Sequence, residues 1–449
     1  MGELPADFLF GVSTASYQIE GAVQEDGRRP SVWDDFCARP GAIVDGSSGA
    51  VTCDSYHRIA QDVAAMADLG VDAYRFSVAW PRVIPEGRGA VNAAGLDYYD
   101  RLVDALCEKG IKPCPTLFHW DLPSVLEAEG GWLQRSTAEA FGEYAAVVAA
   151  RLADRAAMWF PVNEPNVVTF LGYAFGNHAP GRQLGVAALP VAHHLLLGHG
   201  LAVAALRAAG ATSVGCANNH SPIWPASDSP EDTLAASMFD AIYNRLYAEP
   251  IVLGSYPAEL AAFLPPAAAD ALPTISAPLD FYGFNYYNPT LVAATPGEDG
   301  DPSPFATGLP FHVRRIEGYP LTDFDWPVVP DGLREIAVQL TQRYAGRLPP
   351  LYVTENGCCD NTSPDAAGRV PDSARIAYLD SHLAALAEAR AQGAPAAGYF
   401  TWSLMDNFEW AEGFTKRFGL IHVDFDTLKR TPKDSFGWYR DRIAAVRAG

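Results

Sequence analysis

Two glutamates follow short apolar runs that lie far apart in the chain. The run 351–354 leads into Glu355 and is followed by Gly357, and the run 158–162 comes just before Glu164. Runs of this kind are typical of buried strands, and Gly357 would let the backbone turn away after the carboxylate. A carboxylate at the rim of a rigid sheet can act as a nucleophile or a general base. The motif around Glu355 is equally typical of a helix N-cap or a salt-bridged loop.

A pair of carboxylates predicts the cleavage of an acetal. One carboxyl group gives a proton to the leaving oxygen, while the other meets the positive charge that develops at the sugar carbon. A negative Glu355 would raise the pKa of Glu164 and keep it protonated for the first step. Once Glu355 is esterified by the sugar, Glu164 would become more acidic and serve as the base for water. The pair therefore predicts glycoside hydrolysis by double displacement.

Polar and aromatic residues at the ends of other predicted strands would surround the two carboxylates. Arg75 and the Tyr287 hydroxyl are predicted to keep Glu355 ionised and oriented, and Asn163 is predicted to bind a sugar 2-hydroxyl. Considered alone, Arg75 is more typical of a structural ion pair. We expect hydroxyl contacts from Gln18 in the loop after the first strand, His119 and Glu409, stacking from Trp402 and Trp410, further pocket positions at Trp120 and Asn285, and core packing for Trp33, Trp80 and Trp159.

Eight apolar runs alternate with helical patterns, and this alternation predicts the fold. The predicted strands are 8–13, 73–78, 111–118, 158–165, 214–219, 280–287, 351–357 and 398–402, with helical stripes over segments such as 56–69 and 195–209. Ser136 and Glu139 have the spacing of a capping box, which predicts a helix to about residue 153. Alternation indicates an α/β fold with a parallel sheet, and eight units favour a (β/α)8 TIM barrel over an open doubly wound sheet.

A barrel also explains how distant residues could share one site, because the carboxyl ends of its strands converge on one face. No linker interrupts the series of units, so residues 1–449 are predicted to form a single domain. The Pro- and Gly-rich stretch 293–310 is predicted to be a long surface or rim loop.

Composition and charge narrow the class of protein. Of the 449 residues, 49% are apolar and 19% charged, which is enough for a large core. The net charge of −21 disfavours partners such as nucleic acid or an anionic membrane and fits a neutral substrate. No phosphate-binding glycine loop, dinucleotide fingerprint or zinc-ligand spacing occurs, so we expect no cofactor and no metal.

Cysteine usage and the apolar segments bear on location. The seven cysteines show no paired spacing, which favours a reducing compartment; Cys358 and Cys359 are expected to be buried and inert. The N-terminus lacks the basic start and apolar core of a signal peptide. The apolar window 186–206 is interrupted by Pro190 and three histidines, so it is not expected to span a membrane. A cytoplasmic protein is predicted.

The sequence resembles the family 1 glycoside hydrolases, the β-glucosidases and their relatives. The resemblance covers nearly the whole chain and is carried by FLFGVSTASYQIEGA at 8–22, YRFSVAWPRVIPEGRG at 74–89, TLFHWDLP at 116–123, NEP at 163–165, GYAFGNHAPG at 172–181, FYGFNYY at 281–287, VTENG at 353–357 and WSLMDNFEWAEGFTKRFGL at 402–420. Pro161-Val162 and Cys358-Cys359 depart from the usual residues, which puts only local geometry in doubt.

The resemblance implies a (β/α)8 barrel and a retaining β-glucosidase, with Glu164 as acid/base and Glu355 as nucleophile. It also implies that Asn285 supports the site and that Trp326 stacks at the aglycone entrance. The sugar-binding subsite that it implies comprises Gln18, His119, Asn163, Glu164, Tyr287, Glu355, Trp402, Glu409 and Trp410, with Phe418 beside it.

Several alternatives share the same residues. Relatives that hydrolyse 6-phosphosugars carry a smaller polar residue at position 409 and a tyrosine at position 418, so Glu409 and Phe418 favour unphosphorylated substrates, namely a β-glucoside or cello-oligosaccharide. A β-galactosidase or β-fucosidase specificity and a transglycosylase use the same site, and the sequence does not separate them. A sugar-binding protein without activity is disfavoured because both glutamates are present. The oligomeric state, including a homo-oligomer, stays open.

Overall fold

The fold is described from a computed structural model that covers residues 4–297 and 311–449. From residue 298 onward, the predicted rim loop at 293–310 lies outside the described residues. Its first residue, Ala293, is instead the last residue of a short strand, Thr290–Ala293.

Eight parallel strands form the central sheet, and the predicted barrel is confirmed. The strands are β1 Leu9–Ser13, β2 Ala73–Ser77, β3 Lys112–Phe118, β4 Phe160–Val162, β5 Ala217–Asn219, β6 Tyr282–Asn285, β7 Leu351–Asn356 and β8 Ala396–Trp402. Their hydrogen-bonding order is β4-β3-β2-β1-β8-β7-β6-β5, and parallel bridges from Trp159 to Val214 and from Asn163 to Ala217 join β4 to β5. The sheet therefore closes on itself as a (β/α)8 barrel.

Helices pack around the barrel and return the chain to the next strand. The main helices are α1 Ile59–Leu69, α2 Ala93–Glu108, α3 Arg135–Leu152, α4 Leu189–Ala208, α5 Pro230–Asp240, α6 Pro330–Arg343, α7 Ser373–Ala391 and α8 Asp434–Ala448. Shorter helices lie at Ser16–Ile19, Val32–Cys37, Trp80–Val83, Ser124–Ala128, Pro165–Val167, Leu246–Val252 and Leu272–Ile275, with π-helical turns at Val168–Ala174 and Ala241–Arg245 and 3-10 turns at Ser55–His57, Gly131–Leu133, Gly185–Ala188, Ala258–Phe263, Ala268–Ala271 and Trp410–Glu412.

Two local predictions are wrong. The helix predicted from Ser136 exists as α3, but it begins one residue earlier, and Ser136 lies inside it, so the capping box does not form. The nearby Thr137 hydroxyl instead donates to the carbonyl oxygen of Gly131 at 2.6 Å. Gln18 was expected in a loop but lies in the short helix Ser16–Ile19 directly after β1.

The apolar helix α4 is part of the core. The segment Gly185–Ala208 is long and apolar enough to span a membrane, with a mean hydropathy of 1.5, but 78% of its 18-residue apolar window is buried inside the fold. It packs along α3, and the His194 ring nitrogen Nδ1 hydrogen-bonds the carbonyl oxygen of Trp132 at 2.9 Å. A helix that is buried in a globular core is apolar on all sides, because every face of it packs against other parts of the protein.

The barrel interior is filled below the site. Phe160 on β4 packs edge to face against Phe281, with ring centroids 5.0 Å apart, and lies near Phe400 on β8. The guanidinium of Arg75 sits over the Phe160 ring at 5.0 Å. This layer closes the barrel from below, so the polar side chains at the strand ends face a pocket with a rigid apolar floor.

Additional strands shape the rim of the barrel. Ile223–Pro225, Thr290–Ala293 and His312–Arg314 form one small sheet, and Ile421–Val423 pairs with Arg430–Pro432 in another. The loop between β8 and α8 is held from inside by Asp406, whose carboxylate accepts from Lys433 Nζ at 2.8 Å and from Arg417 Nη1 at 2.9 Å. These ion pairs fix the loop that carries Glu409, Trp410 and Phe418.

Candidate active site

Glu355 lies at the end of β7 with only 3% of its surface exposed. Arg75 Nη1 donates to its Oε1 at 2.6 Å, and the Tyr287 hydroxyl donates to Oε2 at 3.0 Å. Burial raises the pKa of Glu355 above its ordinary value, and the bonds from Arg75 and Tyr287 oppose that rise. The side chain is therefore a buried carboxyl whose ionised form is supported by one cation and one hydroxyl.

Glu164 follows β4 and is 4% exposed. Its Oε1 accepts from Asn285 Nδ2 at 2.8 Å and from Asn219 Nδ2 at 2.9 Å. Burial raises its pKa most, the negative charge of Glu355 adds to the rise, and the two amides oppose it. Unlike Glu355, this carboxyl has only uncharged donors among the residues that the structure describes, so it is the member of the pair that keeps a proton.

The two carboxyls belong to one connected network. Arg75 donates from Nη1 to Glu355 and from Nη2 to Asn163 Oδ1, the latter at 2.5 Å. Asn285 Nδ2 donates both to Asn163 Oδ1 at 3.2 Å and to Glu164 Oε1 at 2.8 Å. The chain of contacts thus runs from Glu355 through Arg75, Asn163 and Asn285 to Glu164. It joins residues from four strands at one face of the barrel.

Left-handed backbone occurs at three of the predicted site residues. The φ angle is 46° at Glu164, 81° at Trp120 and 51° at Trp410. A side chain with a Cβ pays roughly 1–2 kcal/mol for this conformation. Such strain persists only where the surroundings enforce it, here for instance by the bond from the Glu164 amide to the Ala217 carbonyl oxygen at 2.8 Å.

Aromatic rings form one wall of the pocket. Trp410 packs against Trp33 and Trp120, with ring centroids 4.4 and 4.7 Å away. Trp402 lies nearly parallel to the His119 ring at 5.8 Å. Trp33, expected only to fill the core, therefore also supports the wall from behind, while Trp80 and Trp159 are fully buried as predicted.

A second aromatic group lies towards the outside. Trp326 is half-buried and stacks on Phe324 with centroids 4.4 Å apart, and its ring also meets Tyr287 at 5.4 Å and Phe418 at 6.0 Å. Through Tyr287 this cluster touches the carboxyl pair. If a bound ligand extended from the carboxyl pair towards this side, an apolar ring in that part of the ligand would pack against these aromatic faces.

Polar side chains of the pocket are held in place by hydrogen bonds within the protein. Gln18 Nε2 donates to the Phe408 carbonyl oxygen at 2.9 Å and to Glu409 at 3.5 Å, and Asn163 Nδ2 donates to His119 Nε2 at 3.1 Å. Within residues 4–297 and 311–449, the buried atoms Gln18 Oε1 and His119 Nδ1 have no hydrogen-bonding partner. A buried polar atom without a partner is costly, and ligand hydroxyls would satisfy both.

Charge and hydrogen bonding limit what the remaining residues can offer. Burial, and then the charges of Glu355, Glu412 and Glu164, raise the pKa of Glu409 to about 8, and burial keeps His119 neutral by lowering its pKa. The Trp120 indole N–H already donates to the Asn163 carbonyl oxygen at 3.0 Å, so the face of the ring is the part of Trp120 that is available to a ligand. Burial raises the pKa of the Cys358 and Cys359 thiols to about 12.

Sequence reasoning did not single out Asn219. Asn219 is the last residue of the predicted fifth strand, and the strand ends were predicted to converge on one face. Its position at a strand end could therefore have identified it as a site residue. Its neighbour Asn218 points to the other side of β5, where its amide donates to the Tyr282 hydroxyl at 2.9 Å. Strand alternation distinguishes the two asparagines, but composition alone does not.

Comparison with known proteins shows similarity along nearly the whole chain. Residues 1–447 match the profile of Glycosyl hydrolase family 1. A β-glucosidase of Agrobacterium sp. is 45% identical over 443 residues, which cover 97% of this chain and 94% of the relative. A bifunctional β-D-glucosidase/β-D-fucosidase of Bifidobacterium breve is 42% identical, with 98% of each chain covered. The crystal structure of a psychrophilic β-glucosidase from Micrococcus antarcticus matches with a TM-score of 0.95 at 44% identity, covering 99% of this chain and 98% of that one.

Proposed function

Because this chain belongs to glycosyl hydrolase family 1, we propose that Glu355 and Glu164 hydrolyse terminal β-D-glucosyl residues from β-glucosides and short oligosaccharides. The chain is a glycoside hydrolase, and retention of anomeric configuration is a general property of the family. In this proposal Glu355 is the nucleophile and Glu164 the acid/base. Gln18, His119, Asn163 and Glu409 bind the hydroxyls of the sugar, and Trp402 and Trp410 bind its apolar face.

The first step transfers the sugar to the enzyme. A Glu355 carboxylate oxygen forms a bond to the anomeric carbon while the bond from that carbon to the leaving oxygen breaks. Glu164 gives its proton to the leaving oxygen, so the aglycone departs as a neutral alcohol. The negative charge has then moved from Glu355, now an ester, to Glu164.

The second step releases the sugar. Since esterified Glu355 no longer carries a charge, the repulsion that raised the pKa of Glu164 is lost. The Glu164 carboxylate takes a proton from water as the water oxygen bonds to the anomeric carbon and the ester bond breaks. Each step inverts that carbon, and the product therefore keeps the β configuration.

The observation that carries the proposal is the unequal environment of the two carboxyls. Glu355 has a guanidinium 2.6 Å away, whereas the hydrogen bonds that Glu164 accepts within residues 4–297 and 311–449 come only from two neutral amides. Two buried carboxyls that interact do not ionise together, and the cation decides that Glu355 ionises first. This is the protonation state that the first step requires.

The test of the acid role is the dependence on the leaving group. Glu164→Ala should leave kcat/KM for a dinitrophenyl β-glucoside nearly intact, because kcat/KM reports the first step and that leaving group needs no proton. The same variant should lose roughly 100-fold or more on an alkyl β-glucoside, within the range expected for general acid catalysis. Equal losses on both substrates would remove Glu164 from this role.

Substrate choice follows from charge at the pocket. A 6-phosphate on the sugar would add negative charge beside Glu409 and near the ionised Glu355, whose charge already raises the pKa of Glu409. We therefore expect kcat/KM for an aryl β-glucoside to exceed that for the 6-phosphoglucoside, and the reverse order would contradict this assignment. The same kcat/KM measurement is made on a panel of substrates that also contains a β-galactoside, a β-fucoside and cellobiose. Activity on the β-fucoside is supported by the similarity to the bifunctional relative.

Two further features belong to the proposal. Water and a sugar acceptor compete for the same glycosyl ester, so product analysis with added acceptor separates hydrolysis from transglycosylation. A role in cellulose breakdown is supported by the small neutral substrate of the proposed reaction. A cytoplasmic location is supported by the cysteines, which are free. Cell fractionation tests the location, and cellobiose in the panel tests the substrate.

A further inference from the structure

One oxygen of the Glu164 carboxyl receives hydrogen bonds from two different strands. Asn285 at the end of β6 donates at 2.8 Å, and Asn219 at the end of β5 donates at 2.9 Å. Both bonds that the described residues make to this carboxyl end on the same atom, Oε1. The other oxygen, Oε2, is therefore chemically distinct from Oε1 before any substrate binds.

A protonated carboxyl has one carbonyl oxygen, which accepts, and one hydroxyl oxygen, which carries the proton. Amide N–H groups only donate, so two of them on Oε1 use both lone pairs of that atom and make it the carbonyl oxygen. Resting on the proposed function of Glu164 as the acid, we infer that Asn219 is a positioning residue. Together with Asn285, it keeps the transferable proton on Glu164 Oε2 and turns that oxygen towards the leaving group.

The protein sets the orientation of the Asn285 amide and holds the backbone that carries Asn219. The Thr354 hydroxyl donates to Asn285 Oδ1 at 2.5 Å, which leaves the amide nitrogen facing Glu164. Asn219 is the last residue of β5, and its backbone carbonyl accepts from Asn166 Nδ2 at 3.1 Å. The two donors thus come from adjacent strands of the barrel.

The same bonds affect when Glu164 gives up its proton. Hydrogen bonds to an ionised carboxylate are stronger than those to a neutral carboxyl, so both amides lower the pKa of Glu164, against burial and the charge of Glu355. Loss of Asn219 therefore raises that pKa. The other ionisable groups that face Glu164 are all left in place by the substitution: Glu355, Glu409, Arg75, Tyr243 and Tyr287.

The experiment compares Asn219→Ala with Asn218→Ala, a matched control. Asn218 precedes Asn219 in the same strand but donates to the Tyr282 hydroxyl on the opposite face. We expect Asn219→Ala to lower kcat/KM for an alkyl β-glucoside about tenfold, as for one lost hydrogen bond to a charged group, and to change the dinitrophenyl glucoside less than about twofold. The alkaline limb of kcat/KM should move to higher pH. Asn218→Ala should leave the ratio of the two substrates and the limb unchanged.

Several outcomes would overturn the inference. Equal losses on both substrates indicate a structural role, and an unmoved alkaline limb indicates a contact to the aglycone alone, because this limb reports the free enzyme. In the Glu164→Ala background, Asn219→Ala should have no further effect, and an additive loss would contradict the inference. If Asn219→Ala does not fold, as judged by its thermal unfolding, Asn219→Ser takes its place.

Failure of the inference and failure of the proposed function give different results. If Glu164→Ala itself shows no dependence on the leaving group, the proposed acid role is wrong. If Glu164→Ala shows that dependence and Asn219→Ala does not, only the role of Asn219 is wrong.

Discussion

At the scale of single residues, the chemistry depends on a buried carboxylate that stays ionised. Burial raises the pKa of Glu355, and Arg75 is the main group that opposes this rise. Arg75 divides its donors among Glu355 Oε1, Asn163 Oδ1, the Thr354 carbonyl oxygen and the Thr116 hydroxyl. A planar guanidinium can serve these directions together, and a lysine ammonium cannot.

Arg75→Lys should therefore weaken the nucleophile. We expect kcat/KM to fall roughly 100-fold, the equivalent of about 2.7 kcal/mol, from the loss of a charge-assisted bond. Because Arg75 lowers the pKa of Glu355, its removal lets that pKa rise, and the acidic limb of kcat/KM should move to higher pH. A pH profile of kcat/KM measures both effects.

Arg82→Lys is the matched control for that profile. Arg82 is a fully buried arginine whose Nε donates to Glu20 Oε2 at 3.1 Å, away from the carboxyl pair. This variant should lose stability without a shift of the acidic limb. A shift of the limb in Arg82→Lys, or none in Arg75→Lys, would contradict the account.

Most of the site residues could be predicted because each follows a short apolar run, and the barrel brings those ends together. Their detailed contacts could not. That Trp120 donates its indole N–H to the Asn163 carbonyl oxygen, and that Glu164 adopts a left-handed backbone, depend on the register of β3, β4 and β5. Register results from pairing between distant segments, which a single sequence does not specify.

At the scale of elements, the ends of β7 and β8 approach each other closely. Gly357 was expected to allow a turn after Glu355, but the structure gives another reason for glycine: a Cβ there would lie 1.8 Å from the Trp402 carbonyl oxygen. Since that atom is backbone, it cannot move aside without shifting β8. Gly357 therefore fixes the distance between the strand of the nucleophile and the strand of the stacking tryptophan.

Gly357→Ala should destabilise the protein and disturb the site. We expect a loss of about 1–3 kcal/mol in the free energy of unfolding, as for other overpacked positions, together with lower kcat. Urea unfolding and steady-state kinetics measure the two effects. The control is Gly437→Ala in α8, where a Cβ meets open space and where helix propensity should add about 1 kcal/mol of stability. Equal behaviour of the two variants would show that the contact with Trp402 is unimportant.

The elements themselves were largely predictable, because each strand and each helix has its own periodicity. Their boundaries were less so. The S-x-x-E spacing at Ser136 suggested a cap, yet α3 begins at Arg135, after the turn at Gly130 and Gly131. A capping box is a local pattern, and here the chain direction out of the preceding turn determines where the helix starts.

At the scale of the whole molecule, the two ends of the chain are held together. Strand β1 pairs with β8 from Leu9 opposite Gly398 to Ser13 opposite Trp402. The Tyr439 hydroxyl in α8 donates to the Gly11 carbonyl oxygen at 3.2 Å. A barrel cannot close until its first and last units are both in place.

This arrangement predicts one cooperative unfolding transition, which also tests the prediction that residues 1–449 form a single domain. Far-UV circular dichroism reports the helices, and tryptophan fluorescence reports the packing around the ten tryptophans of the chain. The two signals should give the same midpoint on thermal unfolding. Separate midpoints would show that part of the chain folds independently.

The central claim is that Glu355 attacks the anomeric carbon, and Glu355→Gly tests it most directly. The variant should lose turnover of a dinitrophenyl β-glucoside, and azide should restore it by occupying the space of the missing carboxylate. Because azide then attacks the face opposite the leaving group, the account predicts α-glucosyl azide as the product, identified by NMR. Formation of β-glucosyl azide, or turnover without azide, would contradict it.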